Sequence, residues 1–378
     1  MTRRPSSSGD VLRLIREEGV ATRAEIGRVT GLSRPAVALR VNALIAHGLV
    51  AESADGPSTG GRPPARLSFN ASGGALLVAN LGRSRGQVAV TDLAGTILAQ
   101  AGITTGRTPE ATLPGLLTEW ARLLEGTGVA AVRGAGIGVP DAVEFAPARW
   151  EGFPVGPPIT ERFGVPAYLD NDVNIAALGE YQSRFRQETG DLLFVKLSTG
   201  VGAGLIAGGR VQRGALGAAG EIGHIPVRDG GGVRCRCGNL DCVEAVAGGA
   251  ALLARSPAAD DLAALVALAR AGDPETVTLV REAGRRVGEV VAGAVNLLNP
   301  AVVLLGGDLT GAYEPLIAGV REVVYQRATA LATRRLRIEP SRLGDTAGLI
   351  GCAALVLDHI LTPEAVDTAL AAAAPSPA

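Results

Sequence analysis

The 378-residue sequence contains only four cysteines, three histidines and one lysine, and it has no uncharged apolar run of about 18 residues. So few cysteines argue against a disulfide framework and favour thiols or a metal site. The missing apolar run argues against a transmembrane helix, and the charged start of the chain does not fit a secretory signal. We therefore expect a cytoplasmic protein with no membrane partner.

Charge is unevenly distributed along the chain. Residues 1–70 hold ten arginines against six acidic residues, a net charge of +4, whereas the rest of the chain has a net charge of −5. A small basic segment on an acidic body indicates that only the N-terminal segment binds a polyanion. Apolar residues make up 47% of the chain, which is typical of folded domains rather than of disorder.

The N-terminal segment has the pattern of a helix-turn-helix. A first amphipathic helix ends at Gly19, a second is capped by Thr22 and ended by Gly31, and Ser33 caps a third. Two short strands joined by a loop rich in glycine, proline and serine follow, as in a wing. We predict that residues 1–72 form a winged helix-turn-helix domain.

Several residues of this domain are candidates for DNA contact. The N-terminal residues of the second helix in such a motif reach base edges or phosphates, and the wing tip "STGGRPP" would let an arginine enter a minor groove. The predicted DNA-binding residues are Arg23, Ser33, Arg34, Arg40, Gly61 and Arg62. The alternative is a helical protein-interaction module with an arginine-rich solvated face.

The body of the chain repeats one pattern. The strings "GALLVANLGRSRGQVAVTDLAGTILAQ" and "GDLLFVKLSTGVGAGLIAGGRVQRG" are both runs of three strands with a glycine-rich first turn. Such a repeat predicts two similar α/β lobes with a cleft between them. We assign 73–188 and a returning helix over 347–361 to the first lobe, 189–346 to the second lobe, and 362–378 to a tail whose last stretch, "AAAAPSPA", is frayed.

Three of the four cysteines and one histidine lie within twenty residues of each other. His224, Cys235, Cys237 and Cys242 supply one nitrogen and three sulfurs, which fill a tetrahedral zinc shell with no open position. We therefore predict a structural Zn²⁺ site. The alternative is a set of unrelated buried cysteines, which is how we interpret Cys352, inside an apolar helix.

The chain resembles the ROK family of repressors, open reading frames and sugar kinases. The matching strings are "GIGVP", "LDNDVNIAALGE", "LSTGVGAGLIAGG", "GALGAAGEIGH", "CRCGNLDCVE" and "NPAVVLLGG". The resemblance implies a duplicated ribonuclease-H-like, actin/hexokinase-type fold in two lobes, and a zinc at the cysteine motif. "GLSRPAV" and "GGRPP" resemble the transcriptional-regulator branch, such as the xylose and N-acetylglucosamine repressors. Arg236 and Asp241 stand where the family's zinc loop usually has glycine.

The resemblance also implies a sugar site. "AGEIGH" and "CVE" place Glu221, His224 and Glu244 beside the cleft, and carboxylates accept charge-assisted hydrogen bonds from sugar hydroxyls. By resemblance, Asn171 and Asp172 also bind the sugar, and the aspartate at the position of Asp172 is the general base of the kinases. The alternative interpretation of "DNDVN" is a helix cap.

The first glycine hairpin argues against kinase activity. A kinase holds ATP phosphates and magnesium between two such hairpins, and the second hairpin, Ser198 to Gly204, is intact. By resemblance, kinases of the family carry an aspartate and a Gly-Thr pair in the first hairpin, where this chain has Asn80, Arg83 and Ser84. We therefore predict no enzymatic activity and no catalytic residue.

These features together predict a transcriptional regulator, a repressor whose DNA affinity is controlled by a sugar or sugar derivative bound between the lobes. Its partners would be double-stranded operator DNA, the carbohydrate-type effector and further copies of the chain, in a homodimer or homotetramer. The alternatives are an ATP-dependent sugar kinase with a DNA-binding appendage and a ligand-independent repressor. The sugar, the operator, the sign of the effect and the choice between dimer and tetramer stay open.

Overall fold

A computed structural model describes residues 6–53, 65–82, 85–106, 108–129, 131–140, 150 and 152–373. Its N-terminal part, here called the head, has three helices followed by a two-stranded antiparallel sheet. The elements are α1 (Ser8–Glu17), α2 (Arg23–Thr30), α3 (Arg34–Ala46), β1 (Val50–Ser53) and β2 (Arg66–Phe69). This is the predicted helix-turn-helix with the base of a wing.

Local side-chain contacts set the helix ends of the head. Thr22 accepts a hydrogen bond from the backbone N–H of Glu25, and Gly31 ends α2 with φ of +76°, a conformation that glycine adopts without strain. Ser33 caps α3 in the same way as Thr22 caps α2. Ser7 and Asp10 form a further capping box at α1, which the sequence analysis did not anticipate.

The first lobe is built on a five-stranded sheet in the order β5-β4-β3-β6-β7. Its strands are β3 (Ala75–Leu81), β4 (Arg85–Asp92), β5 (Ile97–Thr104), β6 (Val132–Val139) and β7 (Ala167–Asn171). The first three strands pair antiparallel and the last two join in parallel. Its helices are α4 (Pro109–Thr127), α5 (Gly156–Phe163) and α6 (Asp172–Glu180).

The second lobe repeats that topology. Its sheet has the order β10-β9-β8-β11-β12, again with three antiparallel strands and two parallel ones. The strands are β8 (Leu192–Leu197), β9 (Val201–Ala207), β10 (Arg210–Val211), β11 (Val302–Gly306) and β12 (Arg337–Pro340). The helices are α7 (Val243–Ala247), α8 (Gly249–Arg255), α9 (Leu262–Ala271), α10 (Pro274–Leu298), α11 (Tyr313–Arg327) and α12 (Ala330–Thr333). The same order and polarity in both sheets confirm the predicted duplication.

Helix α13 (Thr346–Ile360) packs on the first lobe, not on the second lobe that precedes it in sequence. Its Cys352 is fully buried and donates to the carbonyl of Ala79, in agreement with a core role. The helix crosses α6 at two glycines, one on each helix. A Cβ on Gly351 would lie 1.8 Å from the Ile175 carbonyl oxygen, and one on Gly179 would lie 2.0 Å from that of Ala347.

The segment predicted as a tail, 362–378, instead contains a helix, α14 (Pro363–Ala373). Val366 is buried in the core of the head, and the Asp367 carboxylate accepts from the backbone N–H of Gly9 at 2.9 Å. The prediction was wrong here because the segment is alanine-rich and has a narrow apolar stripe, whose burial depends on α1. Residues 374–378 lie outside the described part.

In the described part of the chain, no single helix is long and apolar enough to cross a membrane. The bent pair α13–α14 passes that test only by length and composition. Ten residues of α13 are buried within the fold.

Candidate functional site

A cavity of about 1050 Å³ separates the two lobes. Part of its lining, here called the effector end, is formed by Asn171, Asp172, Glu221 and Glu244, four of the five predicted effector residues. The fifth, His224, has its Nε2 atom 3.7 Å from a carboxylate oxygen of Glu221. The fold therefore brings together carboxylates from both lobes, as the sequence predicted.

Asp172 lies at the point where the first lobe faces the second. It follows β7 and begins α6, whose N-terminus is capped by the Asn171 side chain through the N–H groups of Val173 and Asn174. Its side chain is only 8% exposed. An unpaired carboxylate is costly at such a depth, so a partner is expected.

Lys196, on β8 of the second lobe, is that partner. Its ammonium lies 2.5 Å from the Asp172 carboxylate. A second pair crosses nearby, where Arg213 of the second lobe lies 2.6 Å from Asp170, whose side chain is 6% exposed. The effector end of the cleft is therefore held by two charge pairs that join the lobes.

Glu244 is also engaged by a cation. Its carboxylate accepts from the guanidinium of Arg236 at 2.7 Å and from the backbone N–H of Val201 at 3.1 Å. Arg236 occupies the position where the family resemblance leads us to expect glycine, so this contact is a property of the present chain. From the sequence, Arg236 is expected to leave the four metal ligands intact. Its contact with Glu244 in the cleft was not predicted.

The predicted metal ligands converge. The ligand atoms of His224, Cys235, Cys237 and Cys242 all lie within 4.8 Å of one another. The Cys237 and Cys242 sulfurs are 3.6 Å apart, and His224 Nδ1 lies 3.4 Å from the Cys235 sulfur. These separations match the edges of a tetrahedron with ligand bonds of about 2.0–2.3 Å.

The electrostatics of the cluster also fit a cation. Burial, together with the neighbouring thiols, raises the pKa of Cys242 to about 12. The protein alone therefore disfavours three adjacent thiolates, and a bound cation would supply the opposing charge. His224 directs Nδ1 at the sulfurs and Nε2 at Glu221, so one imidazole can serve the metal cluster and orient a cleft carboxylate.

The two glycine hairpins also line the cavity, and the second contacts Glu244 through the backbone N–H of Val201. Asn80 lies at the end of β3 against Gly348, and the guanidinium of Arg85 lies 3.2 Å from Asp308 of the second lobe. This ion pair closes across the cleft beside Ser198, whose hydroxyl accepts from the Asp308 N–H. The prediction of no kinase activity also depended on Arg83 and Ser84, which lie outside the described residues.

The predicted DNA-binding residues divide into three groups. Ser33 and Arg34 are exposed at the start of α3. Arg23 and Arg40 are half-buried and held within the head. Arg23 bonds to Glu52 and to Asn42, and Arg40 bonds to the backbone oxygens of Ser6 and Ala36. Gly61 and Arg62, in the wing tip, lie outside the described part. A direct role of these six residues in DNA contact stays a prediction.

Comparison with known families agrees with this architecture. The ROK family model matches residues 77–359, and a winged helix-turn-helix DNA-binding model matches residues 7–51. The chain belongs to the ROK family. This confirms the resemblance on which part of the sequence analysis depended.

Among ROK proteins, the chain is similar to both regulators and kinases. It is 29% identical over 381 residues to the xylose repressor of Caldicellulosiruptor bescii, covering 93% of this chain and 95% of the relative. It superposes with a TM-score of 0.80 on a ROK family transcriptional regulator described as a homologue of Escherichia coli MLC, at 25% identity, over 96% of this chain and 98% of that one.

The kinases match the body alone. A ROK glucokinase from Streptomyces griseus, solved with glucose and AMPPNP, superposes with a TM-score of 0.62 at 29% identity, over 75% of this chain and 99% of that one. The two-lobe fold is therefore shared with enzymes, and the head is what this chain has in common with the regulators.

Lys196 is the cleft residue that sequence reasoning missed most clearly. It is the only lysine among 36 basic residues, a fact that composition alone did not connect to function. Its position could have indicated a role in the cleft. It lies two residues before the second glycine hairpin, on a strand that brings its side chain to the cleft.

Proposed function

We propose that this ROK protein is a DNA-binding transcriptional repressor whose operator affinity is set by a sugar or sugar derivative bound between the lobes. One observation carries the proposal: the head shares a single apolar core with the first lobe, and that lobe presents Asn171 and Asp172 to the cleft. Ligand binding and head orientation therefore depend on the same rigid unit.

The connection runs through three helices. Asp172 begins α6, α6 packs against α13 at Gly179 and Gly351, and α13 leads into α14, which lies on α1 of the head. A ligand that draws the second lobe toward Asp172 would rotate the second lobe against the head and first lobe together. In a dimer, such a rotation changes the spacing of two α3 helices, which must fit half-sites about one DNA turn apart. A coupling of ~1–3 kcal/mol is typical and changes affinity about 5- to 150-fold.

The ligand would act by replacing the cations that now pair with the carboxylates of the cleft. Sugar hydroxyls donate to carboxylates, and the carboxylates of Asp172 and Glu244 now accept from Lys196 and Arg236. A sugar that takes over these acceptors would replace the direct Asp172–Lys196 pair with contacts through the ligand. This supports a sensor, since the unliganded and liganded arrangements would then differ in lobe-to-lobe contacts.

We further propose that His224, Cys235, Cys237 and Cys242 hold a structural Zn²⁺. The zinc would tie the loop that carries Glu221 to the start of the helix that carries Glu244, and so hold two cleft carboxylates in place. Mass spectrometry of the purified chain should give one zinc per chain. Cys242→Ser should lose the metal, whereas Cys352→Ala, which removes the thiol outside the cluster, should keep it.

The cleft supports a regulator without kinase activity better than it supports a kinase. The carboxylate of Asp172, the residue at the general-base position, is occupied by the Lys196 ammonium, which a sugar hydroxyl would have to displace. The Arg85–Asp308 pair lies beside Ser198 at the start of the second glycine hairpin, where the resemblance to kinases would place the nucleotide phosphates. The similarity to a glucokinase makes the enzyme the second candidate, and ADP release on addition of ATP and hexoses tests it directly.

The decisive experiment measures DNA binding and ligand response together. Fluorescence anisotropy with DNA from upstream of the gene, at fixed salt, should show specific binding that one sugar or sugar phosphate changes at least fivefold. Asp172→Asn should keep DNA binding and lose that response, while the exposed Asp260→Asn should keep both. Specific binding that no sugar alters would retain the repressor and refute the effector site.

The oligomer and the cellular location stay predictions. Two copies reading a palindrome are the default for a winged helix-turn-helix protein. Mass photometry of the full chain, with and without its operator, distinguishes a dimer from a tetramer.

A further inference from the structure

The outward face of α3 is unusually poor in polar groups for a helix that enters a DNA groove. Its buried face is formed by Val37, Val41 and Leu44. The opposite face, spaced i, i+4, i+7 and i+11, consists of Pro35, Leu39, Asn42 and Ala46. Leu39 lies in the middle of this face and is 71% exposed.

The polar side chains that flank this face are held by the protein itself. Asn42 Oδ1 accepts from both terminal nitrogens of Arg23 at 3.1 Å, and the same guanidinium is bonded to Glu52. Arg40, the basic residue next to Leu39, is directed at the backbone of Ser6 and Ala36. The middle of the face therefore presents the exposed methyl groups of Leu39.

In the major groove, one base edge complements a methyl group. Thymine presents its C5-methyl, whereas the other bases present donors and acceptors that an alkyl side chain would leave unpaired. We propose that Leu39 is a sequence-reading residue of the head, and that it reads thymine through contact with the C5-methyl group. Arg23 is then a positioning residue that holds Asn42 beside it.

The positive charge around this apolar face indicates that its partner is DNA. The head carries a net charge of +4 on an acidic body, and Ser33 and Arg34 are exposed at the N-terminal end of the same helix, where phosphates approach. A second protein on this face is the competing explanation, and the experiment below separates the two. The inference rests on the proposed DNA-binding function.

The test removes single methyl groups from DNA. Operator sequences are first selected from a random duplex pool by the full-length protein. Each thymine of a selected site is then replaced in turn by deoxyuridine, which lacks only the C5-methyl. One buried methyl contributes about fourfold in affinity, so we expect about a fourfold loss at one or two positions in each half-site and little change elsewhere.

The protein side of the test uses two exposed leucines. Leu39→Ala should weaken binding to the selected site by about tenfold and abolish the difference between thymine and deoxyuridine at the sensitive positions. Its affinity for unrelated DNA should stay the same, since the phosphate contacts are unchanged. Leu331→Ala, at a leucine 83% exposed on the second lobe, should behave like the unmodified protein.

Three results would overturn the inference. Deoxyuridine could be tolerated at every position, or Leu39→Ala could retain the same discrimination between thymine and deoxyuridine. A fall in oligomeric mass on Leu39→Ala, with discrimination intact, would identify the face as a protein contact. If the full-length protein selects no sequence at all, the proposed function itself fails, and this inference fails with it.

Discussion

The first lobe has two neighbours, the head and the second lobe, and it meets them with different chemistry. Toward the head it presents apolar side chains of α13, which join Val11, Leu12 and Val366 in one continuous core. Toward the second lobe it presents Val173, Ala177 and Phe185, which join Leu192, Phe194 and Ile206 in another apolar cluster. Beside that cluster lie Asp170 and Asp172, whose buried carboxylates face cations.

This difference indicates where a ligand can act. Apolar contact is non-directional and is lost in proportion to the area opened, and it holds the first lobe to both neighbours. Charge pairs can exchange partners with water or with a ligand's hydroxyls, and they contribute less when partly exposed. A response to a ligand should therefore begin at the charge pairs between the lobes, with the head following the first lobe.

The tightest point of the rigid unit is the crossing of α6 and α13, which gives the largest predicted effect. Gly351→Ala places a Cβ 1.8 Å from the Ile175 carbonyl oxygen, so the two helices must separate. We expect the free energy of unfolding to fall by about 3 kcal/mol in chemical denaturation. Gly293→Ala, at an exposed helical glycine with no atom within 4 Å of the added Cβ, should be neutral or stabilise by ~0.5–1 kcal/mol. Equal effects of both substitutions would contradict a tight crossing.

The docking of α14 on the head gives the second prediction. Val366 is 1% exposed, and Val366→Asp would place a charge among apolar side chains of the head. We expect a loss of about 2 kcal/mol and a parallel loss of specific DNA binding, because α1 loses its support. Ala369→Asp, on the exposed side of the same helix, is the control and should preserve both. Normal DNA binding by Val366→Asp would mean that α14 does not support the head.

The head was largely predictable from sequence because its signals are local. Thr22, Gly31 and Ser33 act within four residues of the atoms that they satisfy. The convergence of the four candidate metal ligands was predictable for a similar reason, since they lie within nineteen residues and their chemistry is specific. The repeated strand pattern gave the two lobes.

The remaining features depend on contacts between segments far apart in the chain. The pairing of Lys196 with Asp172 requires that β8 of one lobe end opposite the start of α6 in the other. The helix at 363–373 acquires its buried stripe mainly from α1, more than 340 residues earlier. Leu39 lies in an apolar-looking helix, and only the observed burial shows which of its leucines faces outward.

The charge pairs of the cleft provide a third prediction, of intermediate size. Lys196→Met leaves the Asp172 carboxylate, which is 8% exposed, without its ammonium. Because the lysine side chain itself is 29% exposed, we expect a loss of about 1–2 kcal/mol, below the range for a fully buried pair. Adding Asp172→Asn should recover most of the loss, as a double-mutant cycle would show.

The Arg85–Asp308 pair, which also joins the lobes, is the internal comparison. Arg85→Gln removes a pair whose arginine side chain is 80% exposed, so we expect a change of less than about 0.5 kcal/mol. A loss as large as that of Lys196→Met would mean that the two pairs are equally important for joining the lobes. That result would remove the reason to locate the response at Asp172.

The smallest predicted effect concerns the polar anchor between head and first lobe. The Arg133 guanidinium donates to the carbonyl oxygens of His47 and Gly73 at 2.6 and 3.1 Å, and another of its nitrogens lies 3.0 Å from His47 Nε2. Burial, and then the charge of Arg133, lower the pKa of His47. The folded protein thus favours the neutral imidazole, whereas the unfolded chain takes up a proton near pH 6.5.

The contribution of neutral His47 to stability is therefore fully present above pH 6.5 and is lost as the pH falls through the lower folded pKa. His47→Gln keeps a side-chain acceptor for Arg133 but does not titrate. The difference in unfolding free energy between the unmodified protein and this variant should shrink or change sign between pH 7.5 and pH 5. A difference that is flat across this range would show that the imidazole stays solvated. Among the described residues, the connection between the head and the first lobe would then depend mainly on the apolar core.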